Sequence, residues 1–291
     1  MAGCLFRFLN APKCLMILHQ GIPVSRNART LSTGSIKVSC RGPVTWIGID
    51  RTHMKNCLTP RLVTQLLEEI EKFEKNDHLL AAVLYGERGT FSYGIHPTDF
   101  QQNSNIYKEI LATGLFEKYP VKPIVAALSG NAFGLAFDLA LWCDFRVAEE
   151  TAMLASYARN SGVPVDPSLV SRLNATVGNH RALDWLLTGR AVKAKEGLEA
   201  GAVTRIVACG TGLGQAVSFA QSLSNMPQAG LKADRALVNL QSGKFANKTV
   251  IEREWKINRD LAEQELMLGR NVTSSGDVRH RAREEKSPAA S

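Results

Sequence analysis

No acidic residue occurs before Asp50, although the 291-residue chain carries 27 Asp and Glu. The same stretch is not short of base. Arg7, Lys13, Arg26 and Arg29 lie in residues 1–33 and hold four of the eight net positive charges, which leaves +4 for everything that follows. A segment free of acid, with spaced Arg and apolar residues mixed with Ser and Thr, that ends in Ser25-Arg-Asn-Ala-Arg-Thr-Leu-Ser-Thr-Gly34 has the pattern of a mitochondrial transit peptide. The expectation is import into the matrix and removal of residues 1–33; a merely disordered basic N-terminus is the alternative. A secretory signal is disfavoured, because the apolar run is short and is broken by His19, Gln20 and Pro23.

Long hydrophobic runs are also missing. The longest, Leu79 to Tyr85, is far below the roughly 18–20 residues that cross a bilayer, and the run around Leu15 to Leu18 is shorter still, so no membrane span is expected. Six cysteines form no CxxC pair and no metal-ligand spacing with the six histidines, which argues for ordinary thiols in a reducing compartment and for no metal. The composition, 45% hydrophobic and 21% charged with 23 Gly and 11 Pro, excludes collagen, coiled coil and disorder. No repeat or low-complexity block is visible. The mild basicity left after residue 33 has no nucleic-acid motif behind it, so no nucleic-acid partner is expected.

What is present is an alternation of strands and helices. Ile36 to Cys40 and Val44 to Asp50, with Gly42-Pro43 between them, read as a hairpin or a pair of short strands. Thr59-Pro60 supplies a cap and a first helical residue for an amphipathic helix with Leu62, Val63, Leu66, Leu67, Ile70 and Phe73 on one face. Leu79–Tyr85, Ile124–Leu128, Phe145–Ala148 and Val203–Ala208 are short continuous apolar runs of the kind that form strands covered on both faces. Helical runs are expected over Ala132 to Trp142, Asp166 to Leu173 and His180 to Leu187, and again from near Leu213, Leu231 and Val250. From about Asn271 the chain is polar. This is an α/β pattern with a largely parallel sheet.

Six stretches, in order, resemble the crotonase superfamily, the enoyl-CoA hydratase and isomerase group. They are Lys55-Asn-Cys-Leu-Thr-Pro60, Gly89-Thr-Phe-Ser-Tyr-Gly94, Lys122-Pro-Ile-Val-Ala-Ala127, Leu139-Ala-Leu-Trp-Cys-Asp-Phe-Arg-Val-Ala148, Val177-Gly-Asn-His-Arg-Ala-Leu-Asp-Trp-Leu-Leu-Thr-Gly-Arg190 and Gly201-Ala-Val-Thr-Arg-Ile-Val207. The similarity runs from about Val44 to Met226. It implies a spiral of ββα turns over 34–226 and a helical oligomerisation region over 227–270, between the transit-like segment 1–33 and the polar tail over 271–291. It also implies a homotrimer or hexamer, with a coenzyme A thioester as substrate or ligand and no other cofactor.

Members of the group hold the thioester carbonyl with two backbone N–H groups, and the matching positions here are Ile95 and Leu135. Ile95 lies in Ser92-Tyr-Gly-Ile-His96, and its N–H survives any side chain but proline. His96 replaces the usual aspartate and is followed by Pro97 and Thr98; these join the substrate-binding candidates, with His96 open between a base near neutral pH and a loop histidine facing solvent or nucleotide. Leu135 stands in Gly134-Leu-Ala-Phe-Asp138 where the family has a run of glycines, and its side chain either points away from the site or intrudes on it. Lys55 matches a position near the nucleotide; a solvated surface lysine is the alternative.

The carboxylates depart further. Asp138 matches the first of the two glutamates that hydratases use, and is either that acid or a buried structural aspartate. Ala158 occupies the place of the second, and an alanine moves no proton. Asp166 resembles, in spacing, the aspartate of dienoyl-CoA isomerases and aromatic-acyl dehalogenases, yet Asp166-Pro-Ser is also a good helix cap. Two-glutamate hydration is therefore disfavoured. Two functions stand open: a mitochondrial enzyme of fatty-acid metabolism of the hydratase or isomerase type, with Asp138 and Asp166 moving protons, or a partner that keeps the fold and ligand pocket without the chemistry.

Overall fold

The computed structural model describes residues 34–103, 105–116, 119–157 and 167–241. Residues 1–33, Ala158, Asp166, the run from Val250 and residues 271–291 lie outside the described residues.

Strands β1 (Ser35–Arg41) and β2 (Val44–Asp50) form the expected hairpin, with Arg41 opposite Val44 and Gly42 in the left-handed region at φ 59°. Helix α1 (Pro60–Lys75) begins where Thr59 accepts a hydrogen bond from the Leu62 N–H at 3.2 Å, and it buries Leu62, Val63, Leu66, Ile70 and Phe73. At its other end the Lys122 ammonium donates to the Phe73 and Asn76 carbonyls at 3.0 and 2.8 Å, meeting acceptors that a helix C-terminus leaves open.

The chain continues through β3 (Ala81–Gly86), α2 (Pro97–Gln102), α3 (Ile106–Leu111), β4 (Ile124–Leu128), β5 (Asn131–Phe133) and α4 (Leu135–Trp142). Then come β6 (Phe145–Glu149), β7 (Met153–Ala155), α5 (Pro167–Val177), α6 (Asn179–Thr188), β8 (Val192–Lys193), α7 (Ala194–Glu199), β9 (Arg205–Val207), α8 (Gly212–Ser224) and α9 (Gln228–Gln241). The larger sheet has the order β1-β2-β3-β4-β6-β9, parallel from β2 onward, and the smaller has the order β5-β7-β8. Twice, at β4-β5 and at β6-β7, one strand joins the large sheet and the next joins the small one. β4-β5-α4 is the clearest turn.

Both faces of the large sheet are covered, which is why its strands read as continuous apolar runs. On one face, Val44, Ala81, Val83, Val125, Ala127 and Val147 meet Ala216, Phe219 and Ala220 of α8. On the other lies the main core, with α1 and α4. All eight residues of α4 are buried, so it shows no polar face. Its start differs from the sequence expectation: residues 131–133 form β5 instead of a first helical turn. There the backbone pairs with Met153–Ala155, and Ala132 bridges to Ser92, so tertiary pairing overrides local helix preference.

Two carboxylates fasten the later elements. Glu149 Oε1 accepts from Ser129 Oγ and from the Gly210 and Gly212 N–H groups at 3.0, 3.0 and 3.1 Å, which fixes the entry to α8. Asp144 accepts from the Ile124 N–H at 2.8 Å and pairs with Arg235 of α9 at 2.7 Å.

Candidate active site

The site forms where the loop after β3 meets the N-terminus of α4. Leu58 N–H donates to the Gly94 carbonyl at 2.6 Å and Tyr93 N–H to the Lys55 carbonyl at 3.1 Å, which ties residues 55–58 along the segment 93–94. From the other side, Ser92 exchanges bonds with β5: its N–H donates to the Asn131 carbonyl at 3.0 Å and its carbonyl accepts from Phe133 at 3.1 Å. Gly94 has φ 75°, and a Cβ there would lie 2.5 Å from the Phe133 carbonyl and 3.0 Å from the Leu135 nitrogen. Only glycine fits. The peptide that carries the Ile95 N–H therefore adjoins the one that carries the Leu135 N–H.

Both donors are open. Leu135 is the first residue of α4, so its N–H has no partner within the helix, and among the described residues neither it nor Ile95 donates to a backbone carbonyl. Gly134, at φ 56°, turns the chain into the helix, and its N–H is held by the Ala155 carbonyl at 2.8 Å. The Leu135 side chain is buried in the apolar core, which leaves the main chain at the head of the helix. The N-terminus of α4, where the helix dipole favours negative charge, thus lies beside the segment that carries Ile95.

Asp138 follows one turn along α4 and is 1% exposed. Its Oδ1 accepts from Arg172 of α5, through Nε at 2.9 Å and through Nη2. Arg172 Nη1 also donates to the Tyr119 hydroxyl at 3.2 Å, and the guanidinium lies 5.1 Å over the Phe116 ring. Burial alone would lower the Arg172 pKa, but Asp138 and then Tyr119 outweigh it and raise the guanidinium above its usual value. Protonating Asp138 would strand that buried cation. The arrangement is suited to holding α4 against α5 and poorly suited to passing a proton.

His96 caps α2, its Nδ1 accepting from the Thr98 N–H at 3.2 Å. The imidazole thus serves as the cap of α2. Pro97 opens the same helix, and Thr98 is exposed in its first turn.

Lys55 is exposed, with φ 52°, on a pocket of about 360 Å³ lined by Thr52, His53, Lys55, Glu87, Arg88 and Thr90. His53 and Arg88 were not picked out from the sequence. Arg88 directly precedes the Gly89–Gly94 stretch, and that adjacency was the available signal; His53 had none. The Ser156 hydroxyl, 4% exposed beside the α4 N-terminus, has no hydrogen-bond partner among the described residues and was also missed. Among the described residues no three His, Cys, Asp or Glu side chains are placed to hold a metal, and no helix is long and apolar enough to cross a membrane.

Residues 40–268 match the family model described as enoyl-CoA hydratase/isomerase. A Rhizobium meliloti protein named "probable enoyl-CoA hydratase" is 29% identical over 198 residues, 67% of this chain and 77% of that one. The mitochondrial enoyl-CoA hydratase of Pongo abelii is 28% identical over 185 residues, 62% of this chain and 63% of that one. Among solved structures, one described as "a putative enoyl-CoA hydratase" from Thermobifida fusca, in complex with CoA, is 25% identical with a TM-score of 0.68, and the match covers 80% of this chain and 95% of that one. The chain belongs to the enoyl-CoA hydratase/isomerase family, and its fold is the crotonase fold.

Proposed function

We propose that this protein binds acyl-CoA thioesters, with the thioester carbonyl between the Ile95 and Leu135 N–H groups and the nucleotide near Lys55, His53 and Arg88. The observation that carries the reading is the contact of Gly94 with Phe133 and Leu135, which sets two open donors side by side at a helix N-terminus. Chemistry at the α or β carbon of a thioester passes through an enolate. Donors aimed at its oxygen lower that barrier by about 2.7–4 kcal/mol each.

A reaction of the hydratase or isomerase type then needs a proton carrier. The Asp138–Arg172 pair speaks against Asp138 in that role, and Ala158 has no proton to give, so Asp166 is the remaining candidate. The same two facts favour a second reading, an acyl-CoA-binding protein without turnover. In either case the transit-like residues 1–33 support action in the mitochondrial matrix, and the Pongo abelii relative is named as mitochondrial. The expected layout is a spiral core to residue 226, then an oligomerisation region over 227–270 that assembles a homotrimer or hexamer.

Calorimetry with CoA and with a non-reactive acyl-CoA tests binding. Parallel incubation with crotonyl-CoA and with a 3-enoyl or dienoyl-CoA, followed by absorbance of the conjugated thioester, tests turnover. Tighter binding of acyl-CoA than of CoA is expected, with no hydration of crotonyl-CoA above background. Binding of neither ligand refutes the reading. Conversion of the enoyl or dienoyl substrate separates the enzyme from the binding protein.

A further inference from the structure

Arg51 and Asp99 form a second ion pair at the site, and it has no part in binding or proton transfer as described above. Arg51 leaves the end of β2, and its Nη1 and Nη2 reach the two oxygens of Asp99 at 2.6 and 3.3 Å, a two-pronged contact between side chains that are 9% and 15% exposed. Asp99 lies in the first turn of α2, four residues beyond Ile95. Arg51 Nη1 also donates to the Cys57 carbonyl at 3.3 Å, and the Arg51 N–H donates to Asn56 Oδ1 at 3.0 Å. One side chain thus spans the loop 51–58 and the helix that follows the donor.

That loop is itself under constraint. Lys55 and Asn56 are consecutive residues with φ 52° and 56°, a conformation that side-chain-bearing residues adopt only where their surroundings compel it. Asn56, fully buried, donates to the Glu87 and Thr90 carbonyls at 2.9 and 2.7 Å. The loop reaches the donor segment on one side through Lys55 to Tyr93 and Leu58 to Gly94, and on the other through Arg51 to Asp99. Between these attachments stands the Ile95 peptide.

We infer that the Arg51–Asp99 pair is a positioning clasp for the Ile95 N–H: it fixes α2 against the 51–58 loop and so sets the direction of a donor that neither residue touches. The inference rests on the proposed thioester site. Loss of the clasp frees the chain on the far side of Ile95 and leaves the Lys55 pocket intact. Binding of the nucleotide end and polarisation of the carbonyl are therefore expected to separate.

The test uses the full chain with CoA and with a conjugated arylacryloyl-CoA, whose absorption moves to the red when its thioester carbonyl is polarised. Wild-type protein is expected to bind both and to produce the red shift. Arg51→Gln and Asp99→Asn are expected to bind CoA within about twofold of wild type while losing at least half of the red shift and about tenfold of the preference for acyl-CoA over CoA. Arg51→Lys, a point charge without the fork, is expected to fall between. The paired variant Arg51→Gln with Asp99→Asn is expected to lose no more than either single, since the two act as a unit. If a single variant fails to fold by circular dichroism, Arg51→Met with Asp99→Leu removes both charges together and carries the same expectation. A full red shift in a folded variant overturns the clasp alone. A wild-type protein that binds the probe with no red shift overturns the thioester site, and the clasp with it.

Discussion

Arg172 grips one oxygen of Asp138 with two of its nitrogens, Nε at 2.9 Å and Nη2, where the side chains are 3% and 1% exposed. The pair joins the helix that carries the Leu135 donor to the helix that follows the 158–166 segment. Taking two charges out of water is expensive, and removing one partner leaves the other uncompensated.

Asp138→Ala is accordingly expected to lose about 3–5 kcal/mol of stability, read from the urea midpoint at pH 7. Asp138→Leu together with Arg172→Met is expected to recover most of that loss, because an apolar pair of similar volume avoids the desolvation cost. A catalytic acid with no structural part would give the opposite pattern, with near-native stability and abolished turnover.

Gly94→Ala is expected to weaken acyl-CoA binding far more than CoA binding. The added methyl meets the Phe133 carbonyl at 2.5 Å on a residue with φ 75°, so the two donor peptides must part. Paired titrations of the two ligands measure it. Equal weakening of both would show that the glycine serves only the fold.

The buried thiols give a pH dependence of definite sign. Burial is the main cause that pushes the Cys57 thiol from 9.0 up to about 12, so between those values the folded chain keeps a proton that the unfolded chain has lost. Its contribution is complete below pH 9 and is lost as pH rises toward 12. The urea midpoint is expected to fall from pH 8 to pH 10.5, and to fall less in Cys57→Ala. At pH 8, peptide mapping after brief alkylation is expected to find Cys40 and Cys209 modified and Cys57 and Cys143 protected, since the first two are exposed and the last two buried.

Much of the frame was legible in the sequence because the local signals agree with the global ones. Thr59-Pro60 and the 3.6-residue spacing from Leu62 to Phe73 marked α1, and the unbroken apolar runs marked β3, β4 and β6. The small sheet was not legible. Asn131–Phe133 and Met153–Ala155 are three residues each, too short for a period to register, and they are strands only because each finds the other across the spiral. The donor positions Ile95 and Leu135 came from resemblance, and their contact through Gly94 needed three dimensions. Arg172 and Asp99 were invisible as partners. They lie 34 residues from Asp138 and 48 from Arg51, and nothing in a single chain encodes such a pairing.

The central claim is that the Leu135 N–H, not its side chain, works at the site, and one substitution isolates that group. Proline is tolerated at the first position of a helix and removes only a donor there, so Leu135→Pro should fold, while Leu135→Ala keeps the N–H and controls for lost packing. The measurement is the carbon-13 shift of a thioester carbonyl labelled in a bound acyl-CoA. Wild type and Leu135→Ala are expected to move it downfield from its free value, and Leu135→Pro to lose most of that movement. An identical shift in all three proteins would contradict the account.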